Sequence, residues 1–399
     1  MNNVAAQDRL RPGELTVALD VDVDDQGGLR TREGMARLSA TASHSIWSRP
    51  GLCLVMQGSD LKRMDSAGNL TTLRRLSHDG PVAYAPYDGA VYFSNGLDTG
   101  RIARDGRCLE WGIRLPAGQP AAAPTGGQLP PGDYRYAVTY VRADGLESGS
   151  PLSGVVTLTD VRGSGIAFSG LPSSSDPEVA GVAIYIALPG GAELLRAAVV
   201  PVGESTYTYS GPGTDLTYAL PQGLVEPAPA GTVLAVHSGV TYVADGNVAW
   251  ASDRFSPERF RRQTRFLQLP GPIQVMLPVQ DGLFVATDAE TWFFAGHDPE
   301  AMVPRQVLSH GGTFGTGVTF DSLELVAEES QAGASVPAAL WHSPFGVILG
   351  TSGGQVKNLT EDRYSFPEAV RGGAYFRTAR GFSSYVLALQ APGGVNNAH

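Results

Sequence analysis

The chain has 399 residues, 42% of them hydrophobic, and a formal net charge of −10. This describes a folded protein with room for two or three domains and excludes a disordered one. The acidic balance disfavours general binding to nucleic acid or to anionic membranes, because Lys and Arg drive phosphate binding. No apolar run approaches the ~18 residues of a membrane span, and the polar stretch from Met1 to Arg11 has no apolar signal-peptide core. Lysine is confined to Lys62 and Lys357, so nearly all positive charge is arginine. Arginine makes fixed, bidentate contacts that suit protein interfaces; a GC-rich coding genome gives the same bias. Cys53 and Cys108 adjoin apolar residues without a CxxC pattern, and read as buried thiols.

Residues 1–45 read as an N-terminal arm and strand. Val21 and Val23 alternate with Asp20, Asp22 and Asp24, which fits a strand with one wet face, and Gly27-Gly28 closes it. A calcium loop counted from Asp20 fails, because Asp25 and Thr31 stand where Gly and Glu are needed.

From residue 46 a unit recurs: a glycine, a short apolar strand, then a turn. It starts at Gly51, Gly89, Gly239, Gly282, Gly346 and Gly381, at intervals of 38, 150, 43, 64 and 35 residues. The clearest pair lies in tandem from Gly239 to Trp292, and each member carries the signature of a β-hairpin. Most intervals are near the roughly 40–50 residues of a propeller blade, and the long one fits a blade plus an insertion of about 110 residues. The sequence therefore predicts an all-β chain: a β-propeller over 46–115 and 230–399, interrupted at 116–229. Pro/Gly/Ala-rich stretches at Leu115–Pro120 and Pro221–Pro229 mark the two junctions. Between them, the alternating run Tyr134–Val141, the Asp144-Gly145 turn, Val182–Ile186 and Tyr207–Tyr209 predict an immunoglobulin- or fibronectin-like sandwich. Helix signals are few. Ser256-Pro257 suits a one-turn helix to Phe260, and Ser365–Val370 suits another.

Chemistry is sparse. Gly350-Thr351-Ser352-Gly353-Gly354 matches a serine-hydrolase elbow, but Gln355–Leu359 reads as a returning strand where the elbow needs a helix. None of the seven histidines has metal-ligand spacing, and Asp24-Asp25 and Glu361-Asp362 read as solvated turns. No catalytic, cofactor or metal site is expected. One cluster departs from the acidic background: Arg254, Arg259, Arg261, Arg262 and Arg265, interleaved with Phe255, Phe260 and Phe266. Arg254, Phe255, Arg259, Phe260, Arg261, Arg262 and Arg265 form the candidate interface, in a connection long enough to reach a neighbouring subunit.

Four places carry a family resemblance. They are Leu19–Asp25 with Gly28–Gly34; Val82–Ala85 with Val91–Gly96 and Trp111-Gly112; Tyr242–Asp253; and Ala339–Trp341 with Gly354–Thr360. Together they make the chain resemble the tail nozzle, or tail hub, proteins of short-tailed bacteriophages. The resemblance implies a structural, non-enzymatic virion protein, assembled in the bacterial host cytoplasm as a ring, usually a hexamer. The ring extends the channel for DNA ejection below the portal and adaptor proteins, and docks tail fibres, spikes or a needle. An acidic wall agrees with a channel that DNA must pass without sticking. The alternative is a carbohydrate-binding or glycan-active propeller of the tail, with sugars stacked on exposed Trp or Tyr. Most of the five tryptophans, Trp47, Trp111, Trp250, Trp292 and Trp341, sit at similar places within the repeat, which favours core or inter-blade packing instead.

Overall fold

Short β-branched and aromatic runs broken by Gly, Asp and Asn turns become strands throughout. The protein is described by a computed structural model covering residues 3–4, 15–16, 21–23, 28–31, 37–220, 225–321, 336–379 and 382–393. Among the described residues, the strands β1 (Val21–Val23) and β2 (Leu29–Thr31) pair with each other alone. The first four-stranded meander is β3 (His44–Arg49), β4 (Leu52–Gln57), β5 (Asp60–Met64) and β6 (Leu70–Arg75). The second is β7 (Ala83–Tyr87), β8 (Ala90–Ser94), β9 (Thr99–Ile102) and β10 (Cys108–Leu109).

The insertion follows as β11 (Ala121–Leu129), β12 (Gly132–Arg142), β13 (Gly154–Leu158), β14 (Ser164–Ser169), β15 (Val179–Ala187), β16 (Leu195–Pro201) and β17 (Thr206–Tyr209). These strands make two antiparallel sheets, ordered β11-β14-β17 and β13-β12-β15-β16. One apolar core lies between them, built on Tyr134, Tyr136, Val138, Ile166, Phe168, Val182, Ile184 and Ile186.

The meanders then resume. The third is β18 (Val233–His237), β19 (Val240–Asp245), β20 (Val248–Asp253) and β21 (Ser256–Phe260), with β22 (Phe266–Gln268) also pairing with β20. The fourth is β23 (Ile273–Val279), β24 (Gly282–Thr287), β25 (Thr291–Ala295) and β26 (Val303–Leu308). The fifth is β27 (Val318–Asp321), β28 (Pro337–Ser343), β29 (Gly346–Thr351) and β30 (Gln355–Asn358). A last hairpin joins β31 (Arg371–Ala379) to β32 (Phe382–Gln390).

The recurring glycine has a backbone reason. Asp88-Gly89 and Ser238-Gly239 have φ of 44° and 77°, and 50° and 79°. Two consecutive positive φ values describe the mirror-image turn that matches strand twist, and its second place costs least in glycine.

Successive meanders are joined through their faces. Leu54, Met56, Val91 and Phe93 share a core between the first and second. Tyr92, Trp111, Val243 and Phe260 join the second to the third. Tyr242, Met276, Leu283 and Val285 join the third to the fourth, and Phe284, Phe293 and Trp341 the fourth to the fifth. Phe320, Leu340, Phe376 and Tyr385 join the fifth to the last hairpin. Sheets that are separate in hydrogen bonding yet stacked face to face in chain order are the blades of a β-propeller.

The structure corrects both expected helices. Ser256–Phe260 is strand β21, and 365–370 is irregular. Pro257 lacks the N–H that a ladder uses, but β21 pairs with β20 only through Ser252–Phe260 and Asp253–Ser256, so nothing is lost there. Cys53 and Cys108 are free and half-buried rather than enclosed. Gly350–Gly354 leads through one 3-10 turn straight into β30, so the elbow geometry is absent. The N–H of Gly353 donates to Asp281 (2.8 Å) and its carbonyl accepts from Arg305 (2.6 Å), so the motif staples the fourth blade to the fifth. Glu361 and Asp362 lie in an exposed turn, while Asp24 and Asp25 lie outside the described residues.

Candidate interface on the third blade

The Arg/Phe segment occupies the outer part of the third blade, and most of it is engaged inside the chain. Phe260 is fully buried, edge-on to Trp111 at 6.1 Å between ring centroids. This corrects its expected role in an exposed interface: an apolar ring at the end of an edge strand is drawn into the gap between blades. Asp253, at the end of β20, gathers three of the arginines: Arg259 (3.6 Å), Arg261 (3.3 Å) and Arg265 (4.0 Å). Arg265 also reaches Asp298 and Glu300 of the fourth blade, at 3.3 and 3.2 Å. Arg262 lies over the ring of Trp250 at 4.7 Å and pairs with Glu226 at 3.4 Å.

What stays on the surface is smaller. Arg254 and Phe255 form the β20–β21 turn, with the guanidinium 5.0 Å from the ring centroid and Phe255 68% exposed. Phe255 has φ of 58° and is held by the Gly239 carbonyl accepting its N–H (2.7 Å). Its ring lies against Gly239, where a Cβ would stand 2.4 Å from it. Arg261 and Arg262 are exposed at the rim, and Phe266 is 40% exposed.

Sequence reasoning missed the partner of this segment, which is the insertion. Both of its junctions run along β21. Glu226 and Phe260 exchange backbone hydrogen bonds, 2.9 and 3.0 Å long. Trp111 Nε1 donates to the Pro257 carbonyl (2.7 Å), and Ala228 N donates to the Trp111 carbonyl (3.2 Å). Gly112 packs so closely that a Cβ would stand 2.7 Å from the Glu258 carbonyl, at a φ of 89°.

Glu258, the middle residue of β21, anchors an ion-pair network. Arg142 at the end of β12 approaches it at 2.5 Å, and Arg101 on β9 at 3.2 Å. Glu178, just ahead of β15, binds Arg101 at 2.6 Å and faces Arg142 at 3.7 Å. These four side chains are 11 to 18% exposed. Arg101 Nε is within ion-pair reach of Glu258 but is not aligned as a hydrogen-bond donor. The carboxylates around Arg142, Asp144 among them, push its pKa up against the effect of burial. The network ties together the second blade, the third blade and the insertion. Beside it opens a cleft of 640 Å³, lined by Tyr87, Tyr92, Arg104, Leu146, Phe255 and Arg259. No sequence signal marks Arg101, Arg142 or Glu178, since single charges on separate strands have no spacing to read.

A histidine pair marks the junction of the third and fourth blades. His237 and His297 stack at 5.3 Å, and His237 Nε2 donates to the Gly296 carbonyl (2.9 Å). Burial pushes the His237 imidazole below its ordinary value. Among the described residues, no group of three or more His, Cys, Asp or Glu side chains could hold a metal.

No family model matches the chain, and no curated protein matches it. Among solved structures it is similar to the Neurospora crassa Pan2 WD40 domain, at 11% identity and a TM-score of 0.32, covering 89% of this chain and 91% of that one. It is also similar to apo AztD from Citrobacter koseri, at 10% identity and a TM-score of 0.29, covering 81% and 74%. Likeness this distant carries no argument. The class, an all-β protein of stacked four-stranded blades, stands on the strand pairing and the shared cores.

Proposed function

We propose that the chain is a structural virion protein, one subunit of a ring-shaped tail nozzle or hub in a short-tailed bacteriophage. In this reading a ring of subunits, six in number, extends the DNA ejection channel below the portal and adaptor. Its outer loops dock tail fibres, spikes or a needle. The work is assembly and passage rather than catalysis. The insertion is an immunoglobulin- or fibronectin-like sandwich held on the outside of a propeller.

The observation that supports this best is the junction on β21. Two arginines and two glutamates, with the paired strands at Glu226 and Phe260, fix the insertion to two blades at once. A mobile recognition module needs no such fixture, whereas a subunit that transmits force between neighbours does. The net charge of −10 agrees with a wall that does not trap DNA. The exposed Arg254, Phe255, Arg261 and Arg262 are what the third blade offers to a neighbouring subunit.

Solution mass of the purified protein, alone and with the virion connector, tests the proposal. A closed ring is expected with the connector, and six-fold density in micrographs of the particle tail. A chain that binds glycans, stays monomeric with the connector and is absent from tails would overturn it.

A further inference from the structure

The cleft beside the ion-pair network holds polar groups that the protein itself leaves unused. Tyr92 of β8 is 4% exposed, and its ring packs on Trp111 at 5.0 Å between centroids. It lines the cleft, where the charges of Glu258, Arg101, Arg142 and Asp88 all bear on its hydroxyl. That hydroxyl has no hydrogen-bond partner among the described residues. Arg259 of β21, with its side chain 19% exposed, pairs with Asp253 at 3.6 Å. This is longer than a hydrogen bond, so its guanidinium donors are unspent as well. Tyr87 and Ser256 line the same cleft, and their hydroxyls likewise have no partner among the described residues. Polar groups held in a protein interior are normally paired, and four that line one opening call for a partner from outside.

The charges of the cleft, by contrast, are already matched. Arg104 binds Asp88 at 2.7 Å, Arg142 binds Asp144 at 2.7 Å and Glu258 at 2.5 Å, and Arg101 lies 3.2 Å from Glu258. With Asp253 opposite Arg259, every arginine lining the cleft faces a carboxylate. An anion or a cation entering it would gain no net Coulomb attraction to offset its lost hydration. A neutral ligand rich in hydroxyls has no such cost. Each of its hydroxyls both donates and accepts, which suits Tyr92, Tyr87 and Ser256. The planar fork of Arg259 fits two adjacent oxygens. Tyr87 and Phe255 add aromatic rings for the C–H face of a sugar. The volume of 640 Å³ lies within the roughly 300–1,000 Å³ of small-molecule pockets.

We propose that this cleft binds a neutral saccharide, with Tyr92 and Arg259 as its hydrogen-bonding groups and Tyr87 and Phe255 as its aromatic walls. The ion-pair network of Arg101, Arg142, Glu178 and Glu258 holds the second blade, the third blade and the insertion in register, and so gives the cleft a fixed shape. Trp111 serves from behind, as the support of Tyr92. The inference does not depend on the proposed virion role. Sugar binding is measured on the isolated protein, whereas that role is tested by assembly with the connector.

Calorimetric titration of the full-length protein tests it, with three neutral probes: maltotriose, cellotriose and the trimer of N-acetylglucosamine. At least one is expected to bind with a dissociation constant of about 1 mM or tighter. Tyr92→Phe removes a single oxygen and keeps the ring against Trp111, and should weaken that binding by at least about fivefold. Phe255→Ser should weaken it too. Trigalacturonate, of similar size but with a carboxylate on each ring, should bind more weakly than the neutral sugar. Should Tyr92→Phe melt lower than the parent protein, Tyr87→Phe carries the comparison, because its ring is only partly buried. Failure of all three neutral probes to bind overturns the proposal. So does an affinity unchanged by loss of the tyrosine hydroxyl, or tighter binding of trigalacturonate.

Discussion

Glu258 and Arg261 lie three residues apart and do different work. Glu258 faces two arginines in a largely buried network, whereas Arg261 pairs with Asp253 at an exposed rim. Removing one partner of a buried network strands the others, at about 3–5 kcal/mol, while an exposed pair is worth about 0–1 kcal/mol. Urea denaturation should therefore separate Glu258→Ala from Arg261→Ala by several-fold in lost stability; equal losses would mean the network adds nothing. Gly112→Ala should also cost stability, because its φ of 89° and the Glu258 carbonyl at 2.7 Å leave no place for a Cβ. Phe260→Ala should cost about 3–5 kcal/mol as a core truncation, and Phe255→Ala far less. In the sequence those two phenylalanines look alike. Burial distinguishes them, and burial depends on where Trp111 arrives from the far side of the insertion.

At the scale of elements, β21 shows why a correct local signal can lose. Ser256-Pro257 is a sound helix start. A single turn of helix, however, gains little, since nucleation is costly. The same residues as a strand pair with β20, take Trp111 Nε1 on the Pro257 carbonyl and bridge to Glu226. The segment that reads as a reach toward another subunit is thus the floor on which the insertion stands. Excision tests this. A chain in which a short Gly/Ser linker replaces 117–222 should keep a cooperative melt, because residues 225–228 still cover β21. A chain lacking 117–229 loses the Glu226 bridge and Ala228, uncovers Phe260, and should melt lower. Equal melting of the two would show that the junction adds nothing to the blades.

Across the whole molecule, buried titratable groups bound the pH range of stability. Burial pushes His44, His237, His310 and His342 below the ordinary histidine value of 6.5. At His237 the charges of His297 and Arg254 add to burial, while Asp281 and the Gly296 carbonyl oppose it. The unfolded chain takes up protons at these sites first as pH falls, so stability drops below about pH 6.5. Burial likewise pushes Tyr84, Tyr92, Tyr242 and Tyr385 above the ordinary 10.0. The unfolded chain then loses protons first as pH rises, so stability drops again above about pH 10. Thermal melts across pH should show a plateau between these limits; a melting temperature still rising below pH 6 would contradict it.

The sequence by itself determined the strands and their period. Gly51, Gly89 and Gly239 immediately precede β4, β8 and β19, and Gly282 and Gly346 open β24 and β29. That much is legible because a tight turn between twisted strands imposes positive φ on particular residues, and few side chains tolerate it. In the sequence, the 150-residue interval between Gly89 and Gly239 stands out as a missing beat in that period. Only the tertiary structure decided which charges meet. Arg101, Arg142, Glu178 and Glu258 come from two blades and the insertion, and nothing local makes them partners. Backbone conformation is set by neighbours in sequence, whereas burial and ion pairing are set by neighbours in space.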